Sequence, residues 1–142
     1  VALSREEREQ FLAEPHVAAI AIDSGEEDRA PLSVPIWYRY EPGGDVWILT
    51  GRDSRKHRLI EAAGRFSLLA DRLEPTVRYV QVEGPVTSTE PGTEAALREL
   101  AGRYLPPDKV DGYVAFALKD HGETVVLRMR PQRWLSADLG RV

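Results

Sequence analysis

Residues 31–58 read PLSVPIWYRY (31–40), EPGGD (41–45), VWILT (46–50) and GRDSRKHR (51–58) in unbroken succession. Ser33–Tyr40 alternates, with Ser33, Pro35, Trp37 and Arg39 on one face and Val34, Ile36, Tyr38 and Tyr40 on the other, the period of a strand. Pro35 has no N–H to give to a ladder, so this strand belongs at a sheet edge or carries a bulge. Glu41–Asp45 has the proline and paired glycines of a tight turn, and Val46–Thr50 returns as a second strand. So short a connection makes the pair antiparallel. Gly51-Arg52-Asp53 then leads into a helix opened by Ser54 and closed by Gly64.

Working outward, Ser4-Arg5-Glu6-Glu7 is a capping box that starts a short helix, ended by Pro15. Strands are expected at His16–Ile22, Phe66–Ala70, Thr76–Thr89 and Glu123–Met129, the third of these bent or bulged at Gly84-Pro85. Glu94–Tyr104 reads as a helix with an apolar stripe of Ala95, Leu97, Leu100 and Ala101, and Asp108–Phe116 as a weaker helical piece. Trp134-Leu135 extends or flanks the last strand. The sum is six strands and three or four short helices, a mainly β, α+β chain best arranged as a closed or partly closed antiparallel barrel with helices at its ends. No repeat or linker divides it, and 142 residues suit one domain spanning 1–142.

Composition removes several functions. There is no cysteine, so disulfides, cysteine–zinc sites and thiol nucleophiles are excluded. The net charge of −4 argues against nucleic acid as a partner. Apolar runs such as Val17–Ile22 are too short to cross a bilayer. With no signal-peptide pattern a cytoplasmic protein is expected, although Val1 in place of Met means the start is trimmed or not shown. His16, His57 and His121 are scattered without metal-ligand spacing, so no metal site is expected. No P-loop, Gly-x-Ser-x-Gly elbow or dinucleotide fingerprint is present, and no catalytic residue can be designated.

The unusual chemistry lies in Arg52–Arg58, where four cations and a histidine crowd a helix start that would ordinarily prefer acids. The free N–H groups of the first turn, the Ser54 hydroxyl and Lys56 form a candidate phosphate site. The plainer alternative is a solvated basic turn with Arg58 paired to Glu61. The aromatic hairpin sets apolar surface beside these cations, the combination a flat ring with a phosphate tail requires. Tyr38 fits a core position better than a binding one.

The order of the Pro-x-Ser-x-Pro-Ile-Trp-Tyr hairpin, the Trp-x-x-Thr-x-x-x-Ser-Arg-Lys helix start, the Val-x-Val-Glu-Gly-x-Val strand and the late Arg-Pro-x-x-Trp-x-x-x-Asp segment resembles the flavin/deazaflavin split β-barrel oxidoreductases, the pyridoxamine-phosphate-oxidase-like proteins. Within them the chain looks most like the small actinobacterial branch that uses coenzyme F420. The resemblance implies a six-stranded antiparallel split β-barrel of the FMN-binding type. It implies that Lys56 holds the cofactor phosphate with Ser54 and Arg55 beside it. Thr50 and Gly51 then end the strand lining the cofactor, and Pro35, Ile36 and Trp37 face its ring. It implies a homodimer with cofactor sites at the interface, Tyr79 and Gln81 reaching across from the other subunit. Arg72 is a secondary candidate for the acidic tail. Leu59 stands where many relatives carry Asn, and the substrate-binding C-terminal segment of true pyridoxamine-phosphate oxidases is not seen, so pyridoxal phosphate synthesis is not expected. The implied function is an F420-dependent reductase passing hydride to an unsaturated small molecule, with Tyr79, Tyr38 or water as proton donor. The alternatives are an FMN-dependent enzyme of the same fold or a cofactor carrier without turnover.

Overall fold

The strands pair in the order β2-β1-β5-β6-β7-β4-β3, with β8 on the free side of β6, and every pairing is antiparallel. They are β1 (Ala18–Ile22), β2 (Leu32–Ile36), β3 (Tyr38–Tyr40), β4 (Val46–Gly51), β5 (Arg65–Arg72), β6 (Arg78–Pro91), β7 (Thr124–Met129) and β8 (Arg133–Asp138). The helices are α1 (Arg5–Ala13), α2 (Arg55–Ala63), α3 (Glu94–Tyr104) and α4 (Pro107–Asp120). The structure is a computed structural model describing residues 1–141. It is a mainly antiparallel sheet curled into a half-barrel with four short helices, a split-barrel fold.

β6 holds the curl together. Its first half lies between β5 and β8, its second half runs along β7, and the register slips between Val86 and Ser88. The irregularity expected at Gly84-Pro85 thus falls just beyond it. Gly84 is required for a different reason. A Cβ there would collide with the Arg130 carbonyl where the chain turns from β7 toward β8.

Alternation delivers the core. Ile20, Tyr38, Tyr40, Ile48, Leu68, Val80, Val82, Leu127 and Met129 meet inside the curl, closed by Phe11 and Leu12 of α1. The capping box forms as expected, with Ser4 Oγ accepting from the Glu7 N–H and Glu7 Oε1 accepting from the Ser4 N–H. The Tyr38 hydroxyl donates to the Leu12 carbonyl at 2.7 Å and so ties α1 to the sheet.

Two strands appear beyond the six expected. Ser33–Tyr40 divides at Trp37, because the Tyr38 N–H donates to the Tyr104 hydroxyl at 3.1 Å instead of to a neighbouring strand. β2 therefore pairs with β1, while β3 crosses to β4. Pro35 sits on β2, an edge strand, as its missing N–H requires. Arg133–Asp138 forms β8 in its own right against β6. α4 runs one turn past Phe116, because Val114 and Ala117 continue its buried stripe over α3.

Candidate functional site

Along β4, Val46 and Ile48 face the core, while Trp47 and Leu49 face away from it toward α3 and α4. Trp47 is buried with Leu100 and Val126. Leu49 packs with Trp37 against the helical hairpin. Gly51 ends the strand, and its neighbour Ser54 caps α2. One strand face therefore runs from an apolar floor to a helix N-terminus. Above it lies a cavity of about 500 Å³, in the size range of small-molecule sites.

Seven of the ten residues assigned to the cofactor line this cavity: Pro35, Ile36, Trp37, Thr50, Gly51, Ser54 and Lys56. The Ser54 hydroxyl accepts from the His57 N–H at 3.1 Å and lies 3.2 Å from Thr50 Oγ1. The first turn of α2 holds no acid. Among the described residues, Lys56 and Arg55 have no ion-pair partner. Arg55 is exposed and outside the cavity wall.

The basic cluster is smaller than the sequence implies. Arg52 is taken by Glu123 at 2.7 Å. Arg58 donates to the Asp53 carbonyl at 2.7 Å and makes no pair with Glu61. His57 is 9% exposed, with Nδ1 2.7 Å from the Arg52 carbonyl oxygen. A carbonyl only accepts, so Nδ1 carries the proton and His57 fastens the turn leading into α2. His16 is structural, stacked on Phe11 with Nε2 3.0 Å from the Phe11 carbonyl oxygen.

Tyr79 and Gln81 do not reach the cavity of their own chain. They lie on the outer face of β6, Tyr79 between Asp71 and Ala137, Gln81 between Leu69 and Leu135. This face exposes Leu69, Val77 and Leu135, the last at 58%. Val17 and Pro35 line both the cavity and a groove that continues onto this face, so the cavity rim opens toward it.

Two secondary assignments are corrected. The Tyr38 hydroxyl donates to α1 carbonyls, and burial pushes its pKa up, so it is no proton donor to the cavity. Arg72 is committed to the Thr76 carbonyl and hydroxyl and lies 3.8 Å from Asp138, so it is not available for an acidic tail. Leu97, Leu100 and Tyr113 on the hairpin, and His121 and Thr124 at the far end, complete the wall without having been assigned a role. The Leu97–Leu100 stripe was visible as amphipathicity. Tyr113 carries no such signal, since Gly112 before it weakens the helical pattern.

Among the described residues no cluster of three or more His, Asp or Glu could hold a metal ion, and no helix is long and apolar enough to cross a membrane.

A family model described as pyridoxamine 5'-phosphate oxidase matches residues 4–137. No curated protein matches the chain. Solved structures share the fold. A conserved hypothetical protein from Mycobacterium tuberculosis aligns with TM-score 0.71 at 22% identity, over 97% of this chain and 86% of that one. A protein named F420 reductase aligns with TM-score 0.69 at 23% identity, over 89% and 94%. An FAD-binding protein from Mesorhizobium loti aligns with TM-score 0.61 at 18% identity, over 97% and 95%. With its match running from the first helix into β8, over a split barrel whose cavity ends at a helix N-terminus, the chain belongs to the pyridoxamine 5'-phosphate oxidase family.

Proposed function

We propose that the chain is an oxidoreductase that holds reduced coenzyme F420 in this cavity and serves the transfer of a hydride to an unsaturated small molecule. One observation carries the reading: a single cavity joins the apolar wall of Pro35, Ile36, Trp37 and Leu49 to the first turn of α2 with Lys56. A flat ring with a phosphate-bearing tail needs both ends in continuous space. The residues fit such a group, since Lys56 is unpaired and no acid in the first turn opposes an incoming phosphate.

When bound, the reduced cofactor supplies the hydride and its electrons. The protein binds and orients. The Lys56 ammonium and the first-turn N–H groups hold the phosphate, and the Ser54 hydroxyl, accepting from the His57 N–H, can turn its own proton to the phosphate when Thr50 Oγ1 donates to it. Ile36 and Trp37 exclude water from the ring. Arg55, exposed beside Lys56, is the cation available to an anionic tail longer than the cavity.

The reading includes a homodimer. The exposed apolar outer face of β5, β6 and β8 is the surface a second copy would cover, and its Tyr79 and Gln81 would then border the open rim at Val17 and Pro35.

FMN is the second reading. The Arg52–Glu123 pair and the fold-back of Arg58 leave fewer free cations for a long acidic tail than the sequence promises. Fluorescence titration of cofactor-free protein with F420 and, separately, with FMN tests both. Tight F420 and weak FMN binding is expected, preferential FMN binding installs the second reading, and binding of neither overturns both.

A further inference from the structure

Lys56 and His57 line different cavities. Lys56 belongs to the wall of the cavity already described, whereas His57 lines a second one of about 600 Å³. The two cavities share Thr124 at the start of β7. The second is walled by the end of β6, the start of α3, the end of α4 and the turn into β7.

His57 is the residue that points to a ligand. It is nine-tenths buried, and its two ring nitrogens have different fates. Nδ1 donates to the Arg52 carbonyl at 2.7 Å. Nε2, on the other edge of the ring, is buried and has no hydrogen-bond partner among the described residues. With the proton on Nδ1, Nε2 of the neutral ring is an acceptor. A buried acceptor without a donor is costly and rare in folded proteins. What suits it is an N–H or O–H from an occupant of the cavity.

The walls decide which. Glu90, Glu94 and Glu123 line the cavity with a single arginine, Arg52. Arg52 is held by Glu123 at 2.7 Å, and Glu90 pairs with Arg128 at 3.3 Å. Glu94 has no ion-pair partner among the described residues. The cavity therefore keeps a surplus of negative charge, which disfavours anions and favours cations. A metal ion does not fit, since among the described residues no three His, Asp or Glu are grouped to hold one. Leu118, an apolar side chain exposed at the end of α4, gives the cavity a hydrophobic side.

We infer that this second cavity binds a small organic ammonium ion, with an N–H donating to His57 Nε2, the positive charge met by the glutamates of the wall and the carbon skeleton packed on Leu118. The inference is independent of the cofactor reading, because neither His57 nor Glu94 lines the first cavity.

Calorimetric titration with benzylammonium, benzyl alcohol and benzoate tests it. The three share a ring and carry a cationic donor, a neutral donor and an anion. The wild-type protein is expected to bind benzylammonium most tightly and benzoate least. His57→Asn keeps an amide N–H for the Arg52 carbonyl but removes Nε2, and it should weaken benzylammonium roughly 10-fold. Glu94→Gln, an exposed change outside the turn that His57 fastens, should weaken benzylammonium roughly 2- to 5-fold and leave benzyl alcohol unchanged. Thermal midpoints establish that both variants are folded, and Glu94→Gln decides alone if His57→Asn is not. Benzylammonium bound no better than benzyl alcohol, tighter binding of benzoate, or full benzylammonium affinity in either folded variant overturns the inference. So does a wild-type protein that binds none of the three, which leaves Nε2 to a buried water.

Discussion

Lys56 and His57 are neighbours with opposite roles. Lys56 lends an unpaired charge to the cavity wall, whereas His57 is turned inward and fastens the turn before α2. A count of charges merges them, since position along the chain does not say which side chain a helix start turns toward solvent. The same applies to Arg52, whose partner Glu123 is distant in sequence. Tyr104 shows a buried hydroxyl in structural use. Tyr104→Phe keeps the ring on Trp37 but leaves the Tyr38 N–H and the His16 carbonyl without partners, so a loss of about 1–3 kcal/mol in urea unfolding is expected. Asp138 gives a pH signature. Burial alone would raise its carboxyl, but hydrogen bonds from Arg78, the Gly140 N–H and Thr76 outweigh that and bring it down to about 2. A carboxyl lowered on folding stabilises the native state above its unfolded pKa of about 4. That contribution is lost as pH falls through about 2. The thermal midpoint of the wild type should therefore drop from about pH 4 downward, and Asp138→Asn should flatten part of that drop.

Among the elements, two glycines make a matched pair. Gly84→Ala would drive a methyl group into the Arg130 carbonyl, and a loss of about 1–3 kcal/mol or more is expected. Gly102 in α3 has open space around it, and Gly102→Ala should stabilise by about 0.5–1 kcal/mol. Equal effects in chemical denaturation would contradict the close crossing of β6 by the chain leaving β7. Elements governed by local rules were legible in advance: the capping box at Ser4, the Ser54–Gly64 helix, the edge position of β2 and the full extent of α3. The break at Trp37 was not, because it depends on the hydroxyl of Tyr104, 66 residues away. Nor was β8 as a strand of its own, since its pairing partner β6 lies far earlier in the chain.

For the molecule entire, the outer sheet face and the cavity rim meet at Val17 and Pro35, so association and binding are expected to move together. Leu135→Asp, which places a charge on the exposed apolar face, should convert the proposed dimer to monomer in light scattering and weaken cofactor binding. A monomeric variant with undiminished affinity would remove the second copy from the site. The proposed function stands or falls on one cavity uniting an apolar ring site with an anion site built on the start of α2. The affinity of Lys56→Ala, measured beside the wild type by equilibrium titration with F420 and with FMN, decides this. At least about a tenfold loss is expected for the cofactor that wild type prefers, as removal of a charge-assisted contact implies, with an unchanged thermal midpoint. Unchanged affinity would contradict it, because the phosphate would then be held somewhere other than the first turn of α2.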